Sequence, residues 1–93
     1  MILSKLYEII LDRKEKMPSN SYTASLFREG KDRILQKVGE EAIEVIIAAK
    51  KEDRKEVIYE IADLWFHLLI LMVIYKINIQ DIYLELSKRR ERS

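Results

Sequence analysis

Cysteine is absent from this 93-residue sequence, and proline and glycine are rare, with one proline and two glycines. Without cysteine, disulfide bridges and thiolate metal sites are excluded. β-Sheets need turns that glycine and proline usually supply, so their scarcity predicts an all-α fold. A single all-α domain over residues 1–93 accounts for a chain of this length.

An excess of charge of either sign is also missing, because 17 Lys and Arg residues stand against 16 Asp and Glu residues. No overall field attracts nucleic acid or an anionic membrane, so neither is expected as a partner. The hydrophobic fraction of 48% is that of a folded chain rather than a disordered one. Met1 leads into a segment with acidic residues and no small-residue cleavage site, from which we expect a cytoplasmic location.

The spacing of apolar residues predicts five helices. Pro18 blocks continuation of the first, and Asp53 with Glu56 has the spacing of a capping box at the start of the fourth. The predicted helices span residues 2–16, about 21–29, 31–51, 53 to 75 or 76, and from Asn78 to the basic run 88–92. The apolar stripe expected on the third helix is Ile34, Val38, Ala42, Val45, Ile46 and Ala49. The aromatic residues expected in the core of the fourth helix are Tyr59, Trp65 and Phe66.

From residue 64 to 75 every side chain except that of His67 is apolar, and a helix that is apolar all round must be covered all round. A membrane span needs about 20 mostly apolar residues. The stretch 61–77 is shorter and already contains Asp63 and Lys76. One short chain has too few other helices to cover this surface, so we expect a four-helix-bundle-like homo-oligomer, with a dimer favoured and a tetramer left open.

Two of the predicted helices each carry a pair of carboxylates three residues apart. Glu41 with Glu44, and Glu60 with Asp63, lie on one side of a helix about one turn apart. If the chain forms an antiparallel hairpin about residue 52, Glu41 faces Asp63 and Glu44 faces Glu60, because both pairs are symmetric about the turn. The four carboxylates then converge beside an apolar seam.

Four like charges repel, and partial burial would force some of them to take up protons unless a cation binds. Oxygen ligands without cysteine or clustered histidine favour Mg²⁺, with Mn²⁺ as a substitute, over Zn²⁺. A single pair of this kind is usually a solvated helix face. Here Ala42, Val45 and Ile61 surround the acids in place of lysine partners, which favours a metal site.

Lys37 and His67 are also symmetric about the turn, about one helical turn beyond the acids, so either could contact a substrate phosphate. Lys37 could instead pair with Glu41 at i+4. His67 could instead be a buried imidazole bonded to a carboxylate such as that of Asp63. Two further basic residues are candidate substrate contacts: Lys31 and Arg33.

At these residues the sequence resembles the phosphoribosyl-ATP pyrophosphohydrolase family of histidine biosynthesis, in the MazG-type all-α superfamily of nucleoside triphosphate pyrophosphohydrolases. The paired acids alone indicate only the superfamily. Three runs are specific to the family: Ser21-Tyr22-Thr23, KVGEEA followed by Glu44 at residues 37–44, and ADLxFH at residues 62–67. The resemblance covers roughly residues 3–86.

This resemblance implies Mg²⁺-assisted attack of water on 1-(5-phosphoribosyl)-ATP, giving 1-(5-phosphoribosyl)-AMP and pyrophosphate in the second step of the pathway. It implies that Glu40 and Lys37 lie near water or phosphate. One carboxylate among Glu40, Glu41 and Glu44 would take the proton of the water, and which one stays open. The magnesium ligands implied by the resemblance are Glu41, Glu44, Glu60 and Asp63.

The polar run Ser21-Tyr22-Thr23 is expected to help recognise the additional phosphoribosyl group, with helix capping as the alternative. Two other functions stay open. A general (d)NTP pyrophosphohydrolase of the same superfamily would share the fold and the metal. Assaying phosphoribosyl-ATP against a panel of nucleotides would distinguish the two activities. A helical oligomerisation module would show no Mg²⁺-dependent stabilisation and leaves the mirrored acids unexplained.

Overall fold

The computed structural model describes residues 1–92, and within this range the regular structure is entirely helical, which confirms the all-α prediction. The helices are α1 Ile2–Lys16, α2 Tyr22–Glu29, α3 Lys31–Lys50, α4 Arg54–Ile74 and α5 Ile79–Lys88, followed by a 3₁₀ turn at Arg90–Arg92. The left-handed backbone of Met17 (φ 49°) ends α1, and Pro18 follows it. Each boundary lies within two residues of its predicted position.

α3 and α4 form an antiparallel hairpin, and theirs is the most extensive packing between helices in residues 1–92. Glu52 turns the chain with a left-handed backbone (φ 59°). Asp53 then caps α4, because its carboxylate accepts a 3.2 Å hydrogen bond from the Glu56 amide. The predicted turn at residue 52 is therefore confirmed, and it sets the register of the acids.

The hydrophobic core lies where α1, α2 and α5 cover the part of the hairpin remote from its turn. Phe66 packs against this core, as predicted. The Tyr7 hydroxyl donates a 2.7 Å hydrogen bond to the Ile77 carbonyl, which ties α1 to the segment after α4. The largest fully buried side chains are Ile10, Leu26, Ile34, Ile70 and Val73.

Gly30 joins α2 to α3 without an intervening loop. Its backbone (φ 101°, ψ 176°) lies in a region that is essentially open to glycine alone. Its amide donates to the Leu26 carbonyl at 3.1 Å and so closes the end of α2. This abrupt change of direction places the start of α2 beside the hairpin.

We expect Gly30→Ala to lower the free energy of unfolding by about 1–3 kcal/mol. The added Cβ would meet nothing within 4 Å, so the cost comes from backbone strain rather than from a clash. Urea unfolding followed by circular dichroism measures the change, with the exposed Arg28→Ala as the control on the same helix. A Gly30→Ala variant as stable as the wild type would contradict this explanation of the link.

Two predictions about burial are wrong for the single chain. Tyr59 and Trp65 were expected in the core, but they are 69% and 49% exposed, because the other helices do not cover their sides of α4. On α3, Ile46 is 61% exposed, and Ala48 rather than Ala49 is buried. Packing against α4 therefore decides which face of α3 is buried. The apolar stripe of α3 extends past that face to exposed positions.

α4 is long and apolar enough to cross a membrane, judged by length and composition. Only 22% of its most apolar window is buried inside the single chain. Core helices of soluble proteins meet the same length and composition criteria, and Asp63 and His67 interrupt the apolar surface of this one. Most of this apolar window is not buried within the single chain.

Candidate active site

Glu41 on α3 and Asp63 on α4 meet across the hairpin, as the register predicts. Their carboxyl groups lie within hydrogen-bonding reach of each other, and the side chain of Glu41 is only 9% exposed. His67, one turn further along α4, is also buried. Each of the three residues offers one ligand atom, and these atoms lie within 4.8 Å of one another, so the group could hold a metal ion.

The pKa values of Glu41 and Asp63 are shifted in opposite directions. Burial raises the pKa of the Asp63 carboxyl above its usual 3.8, and the hydrogen bond to Glu41 and the charge of Glu41 raise it further. The same hydrogen bond lowers the pKa of Glu41 below its usual 4.5. Asp63 is therefore the one of the two carboxyl groups that takes up a proton first as the pH falls. A divalent cation binding here would compete with protons for these carboxylate oxygens.

Glu60 and Glu44 lie on the same side of the hairpin, nearer the turn. Partial loss of water raises the pKa of Glu60, and the charges of Glu41, Glu44 and Asp63 raise it further. Glu60 is half-buried and Glu44 is exposed. The charges of three of the predicted carboxylates thus act on the fourth, Glu60, while the role of all four as metal ligands stays a prediction.

Two cations from α3 border the carboxylates. Lys37 Nζ lies 3.1 Å from Glu41 Oε1 and 3.6 Å from Glu40 Oε1. The hydrogen bond to Glu41 raises the pKa of Lys37, so this side chain stays charged. Arg33 lies 3.8 Å from Glu40 and 3.5 Å from Glu29. The pairing of Lys37 with Glu41 is confirmed, and both cations stand where a phosphate could replace a carboxylate.

His67 is held by both ring nitrogens. Nδ1 lies 2.8 Å from the Asp63 backbone carbonyl, which can only accept, so Nδ1 carries the proton. In the neutral imidazole Nε2 is an acceptor, and the Tyr22 hydroxyl donates to it at 2.9 Å. The predicted burial is confirmed, but the close partner is the carbonyl rather than the Asp63 carboxylate, 3.7 Å away. The carboxylates are thus the more available metal ligands.

The three residues of the Ser21-Tyr22-Thr23 run have different environments. Ser21 caps α2, because its Oγ accepts a 3.1 Å hydrogen bond from the Ala24 amide, which confirms a capping role. Thr23 lies in the first turn of α2 and is buried, with 8% exposure. Only Tyr22 directs a polar group to the cluster, through its bond to His67. Nothing in the sequence indicated this contact, which joins residues 45 positions apart.

The charged groups of the site also affect the pKa of Tyr22. Burial raises the pKa of its hydroxyl, the charge of Lys37 opposes this, and the charges of Asp63 and Glu41 add to it. The residue is 52% exposed. A half-exposed aromatic side chain therefore lies at the edge of the carboxylate cluster.

Lys31 begins α3, and its ammonium lies 5.8 Å from the centre of the Tyr75 ring, at the far end of α4. This position is remote from the hairpin turn. Of the three basic residues predicted to contact substrate, the structure brings Arg33 and Lys37 together at Glu40, whereas Lys31 lies against an aromatic ring.

We expect the contribution of Asp63 and Glu60 to the stability of the metal-free protein to fall as pH rises through their pKa values, whereas the lowered pKa of Glu41 acts in the opposite direction. Asp63 and Glu60 have raised pKa values in the fold, so their stabilising contribution is present below their usual values and is lost as pH rises through the folded ones. Mg²⁺ should therefore raise the melting temperature more at about pH 8 than at about pH 5.

Scanning calorimetry of the wild type and of Asp63→Asn, with and without Mg²⁺, measures this dependence. The variant should show a smaller change with pH and a smaller response to the ion. Equal Mg²⁺ responses of the wild type at both pH values would contradict competition between Mg²⁺ and protons for these carboxyl groups.

The helical hairpin and its carboxylate cluster are consistent with the MazG-type class of all-α NTP pyrophosphohydrolases. The family model described as phosphoribosyl-ATP pyrophosphohydrolase matches residues 3–90. The chain therefore belongs to the phosphoribosyl-ATP pyrophosphohydrolase family, and the resemblance inferred from its sequence is confirmed.

Curated relatives named phosphoribosyl-ATP pyrophosphatase match nearly the whole chain. One from Geobacter sulfurreducens is 58% identical, over 95% of this chain and 82% of the relative. One from Leptospira biflexa is 59% identical, over 94% of this chain and 95% of the relative. A third, from Clostridium botulinum, is 55% identical, over 98% of this chain and 83% of the relative.

Proposed function

We propose that this protein hydrolyses 1-(5-phosphoribosyl)-ATP between its α and β phosphates, giving 1-(5-phosphoribosyl)-AMP and pyrophosphate in the second step of histidine biosynthesis. The observation that carries the proposal is the Glu41–Asp63 pair with Lys37 beside it, in a chain of this family. The names of the relatives support the same activity. A water-soluble nucleotide substrate supports a cytoplasmic location.

Mg²⁺ is the cofactor that the donor set favours, with Mn²⁺ as a substitute. The available donors are carboxylate oxygens, which suit these hard cations. The raised pKa values of Asp63 and Glu60 support the fit, because a cation would relieve the repulsion that contributes to them. When bound, the ion supplies neutralisation of the triphosphate charge and polarisation of the phosphoryl oxygens. The residues that would hold it are Glu41, Glu44, Glu60 and Asp63.

Lys37 and Arg33 bind phosphate oxygens in this proposal. In the absence of substrate both are paired with carboxylates, and a triphosphate offers them a denser negative charge. The proton of the attacking water passes to a carboxylate oxygen that is free of metal. The acids of α3 that can accept it are Glu40, Glu41 and Glu44.

Pyrophosphate release from phosphoribosyl-ATP, ATP and dATP, each with and without Mg²⁺, tests the proposed activity. We expect Mg²⁺-dependent release from phosphoribosyl-ATP and far slower release from the other two. Comparable turnover of all three would indicate a general NTP pyrophosphohydrolase instead. Asp63→Asn, purified in the same way, controls for contaminating phosphatases. No release from any nucleotide would contradict the proposal.

A second copy of this chain is proposed to cover the exposed side of α4. Apolar residues recur there every three or four positions, the pattern of a helix packed against another helix. They are Ile58, Ile61, Trp65 and Leu68, which are 52%, 41%, 49% and 37% exposed. The stripe continues into an apolar groove of about 430 Å³ between α4 and α5. Continuous apolar surface of this extent is uncommon on monomers, and a two-fold pairing of hairpins would bury it.

A further inference from the structure

The Tyr22 side chain is held at its hydroxyl end and is about half exposed. Its hydroxyl donates to His67 Nε2, and the His67 Nδ1–H donates to the Asp63 carbonyl. The two rings meet edge to face, with centres 5.9 Å apart and planes at 80°. Phe66 supports the imidazole from another side, with centres 5.5 Å apart. A chain of contacts from the backbone of α4 therefore fixes the orientation of the ring in a residue that is 52% exposed.

This arrangement decides which part of Tyr22 can meet a ligand. The hydroxyl already has a buried partner, and a ligand that took its hydrogen bond would leave His67 Nε2 unpaired at a cost. A ligand that contacts the ring face does not break the hydrogen bond between Tyr22 and His67. Contact with a ligand through the face is therefore favoured over contact through the hydroxyl.

We infer that the ring face of Tyr22 is the docking face for the purine of the substrate, and that His67 is a positioning residue that acts through the Tyr22 hydroxyl. This inference rests on the proposed function for the nature of the substrate. Lys37 lies 3.1 Å from Glu41, a ligand atom of Glu41 lies within 4.8 Å of one of His67, and His67 is bonded to the Tyr22 hydroxyl. A nucleotide with its phosphates at Lys37 can therefore place its base at the Tyr22 ring.

The chemistry of the base supports stacking. Purines stack on aromatic side chains, and a ring that is ordered before binding loses less side-chain freedom when the complex forms. Adenine substituted at N1 is more basic than adenine itself and carries positive charge near neutral pH, which strengthens its attraction to an aromatic face. Tyr22 thus favours a nucleotide substituted at N1 over ATP.

The test uses 1,N6-ethenoadenosine monophosphate, a fluorescent adenine nucleotide that binds without being hydrolysed to pyrophosphate. We expect the wild type to quench its fluorescence by stacking, and Tyr22→Leu to weaken binding about tenfold. Binding of inorganic pyrophosphate with Mg²⁺, measured by calorimetry, should be unchanged in this variant. Tyr59→Leu, which removes another exposed tyrosine ring, is the matched control and should bind the probe like the wild type.

The positioning role predicts a particular pattern among variants. Tyr22→Phe keeps the ring and loses the hydroxyl, so it should weaken probe binding by about threefold. His67→Gln should do the same, and the double variant should be no weaker than either single one, because the two changes break one contact. Losses that multiply would contradict action through Tyr22, as would a Tyr22→Phe variant equal to the wild type. Circular dichroism checks folding, and Tyr22→Phe alone keeps the test decisive if His67→Gln unfolds.

Pyrophosphate release by the wild type separates this inference from the proposed function. If the wild type hydrolyses phosphoribosyl-ATP and Tyr22→Leu binds the probe normally, the docking face is overturned while the function stands. If the wild type does not hydrolyse it but Tyr22→Leu loses probe binding, the function fails and the nucleotide-binding face is supported. A wild type that does not bind the probe overturns the inference.

Discussion

Glu41→Gln is expected to reduce Mg²⁺-dependent pyrophosphate release by about a hundredfold or more, with helical content unchanged. An amide binds a hard cation less well than a carboxylate does. Glutamine also lacks the charge that pairs with Lys37 and raises the pKa of Asp63. Turnover of phosphoribosyl-ATP across a Mg²⁺ titration measures the loss, and circular dichroism measures the helical content.

Glu15→Gln is the matched control, because this exposed residue of α1 loses the same charge away from the cluster. It should retain the turnover and the Mg²⁺ dependence of the wild type. If Glu41→Gln turns over the substrate as fast as the wild type at the same Mg²⁺ concentration, Glu41 is not part of the site.

Trp65→Lys is expected to convert the proposed homodimer into monomers and to lower its melting temperature. The Trp65 side chain is 49% exposed in the single chain, in the middle of the apolar stripe of α4. At an interface between two copies a lysine ammonium would be buried without a partner, which is costly. Light scattering coupled to gel filtration should show the mass fall to the 11.1 kDa of one chain.

Leu84→Lys provides the control for this experiment. Leu84 is 64% exposed on α5, but it does not line the apolar groove. The same charge added there should leave the mass unchanged. A wild type that already elutes as an 11.1 kDa monomer would contradict the homodimer.

The hairpin could be predicted from the sequence because its signals are local. Asp53 marks the start of α4, and the scarcity of glycine and proline leaves helices as the regular structure. The two acid pairs are symmetric about one turn, so a correct turn position brings Glu41 to Asp63 without further information. The Lys37–Glu41 ion pair follows from helical spacing in the same way.

The remaining features depend on contacts between distant parts of the chain or outside it. The bond between Tyr22 and His67 joins α2 to α4, and helical periodicity does not specify which residues of separate helices touch. Whether Trp65 is buried depends on what lies against α4, and one chain leaves it half exposed. Apolar composition alone therefore predicted a covered helix without identifying what covers it.

Binding of one divalent ion between α3 and α4 is tested most directly by anomalous diffraction from crystals grown with Mn²⁺. We expect an anomalous peak bonded to carboxylate oxygens of Glu41 and Asp63. A peak bound only elsewhere, or no peak at saturating Mn²⁺, would contradict a metal site at this level of the hairpin.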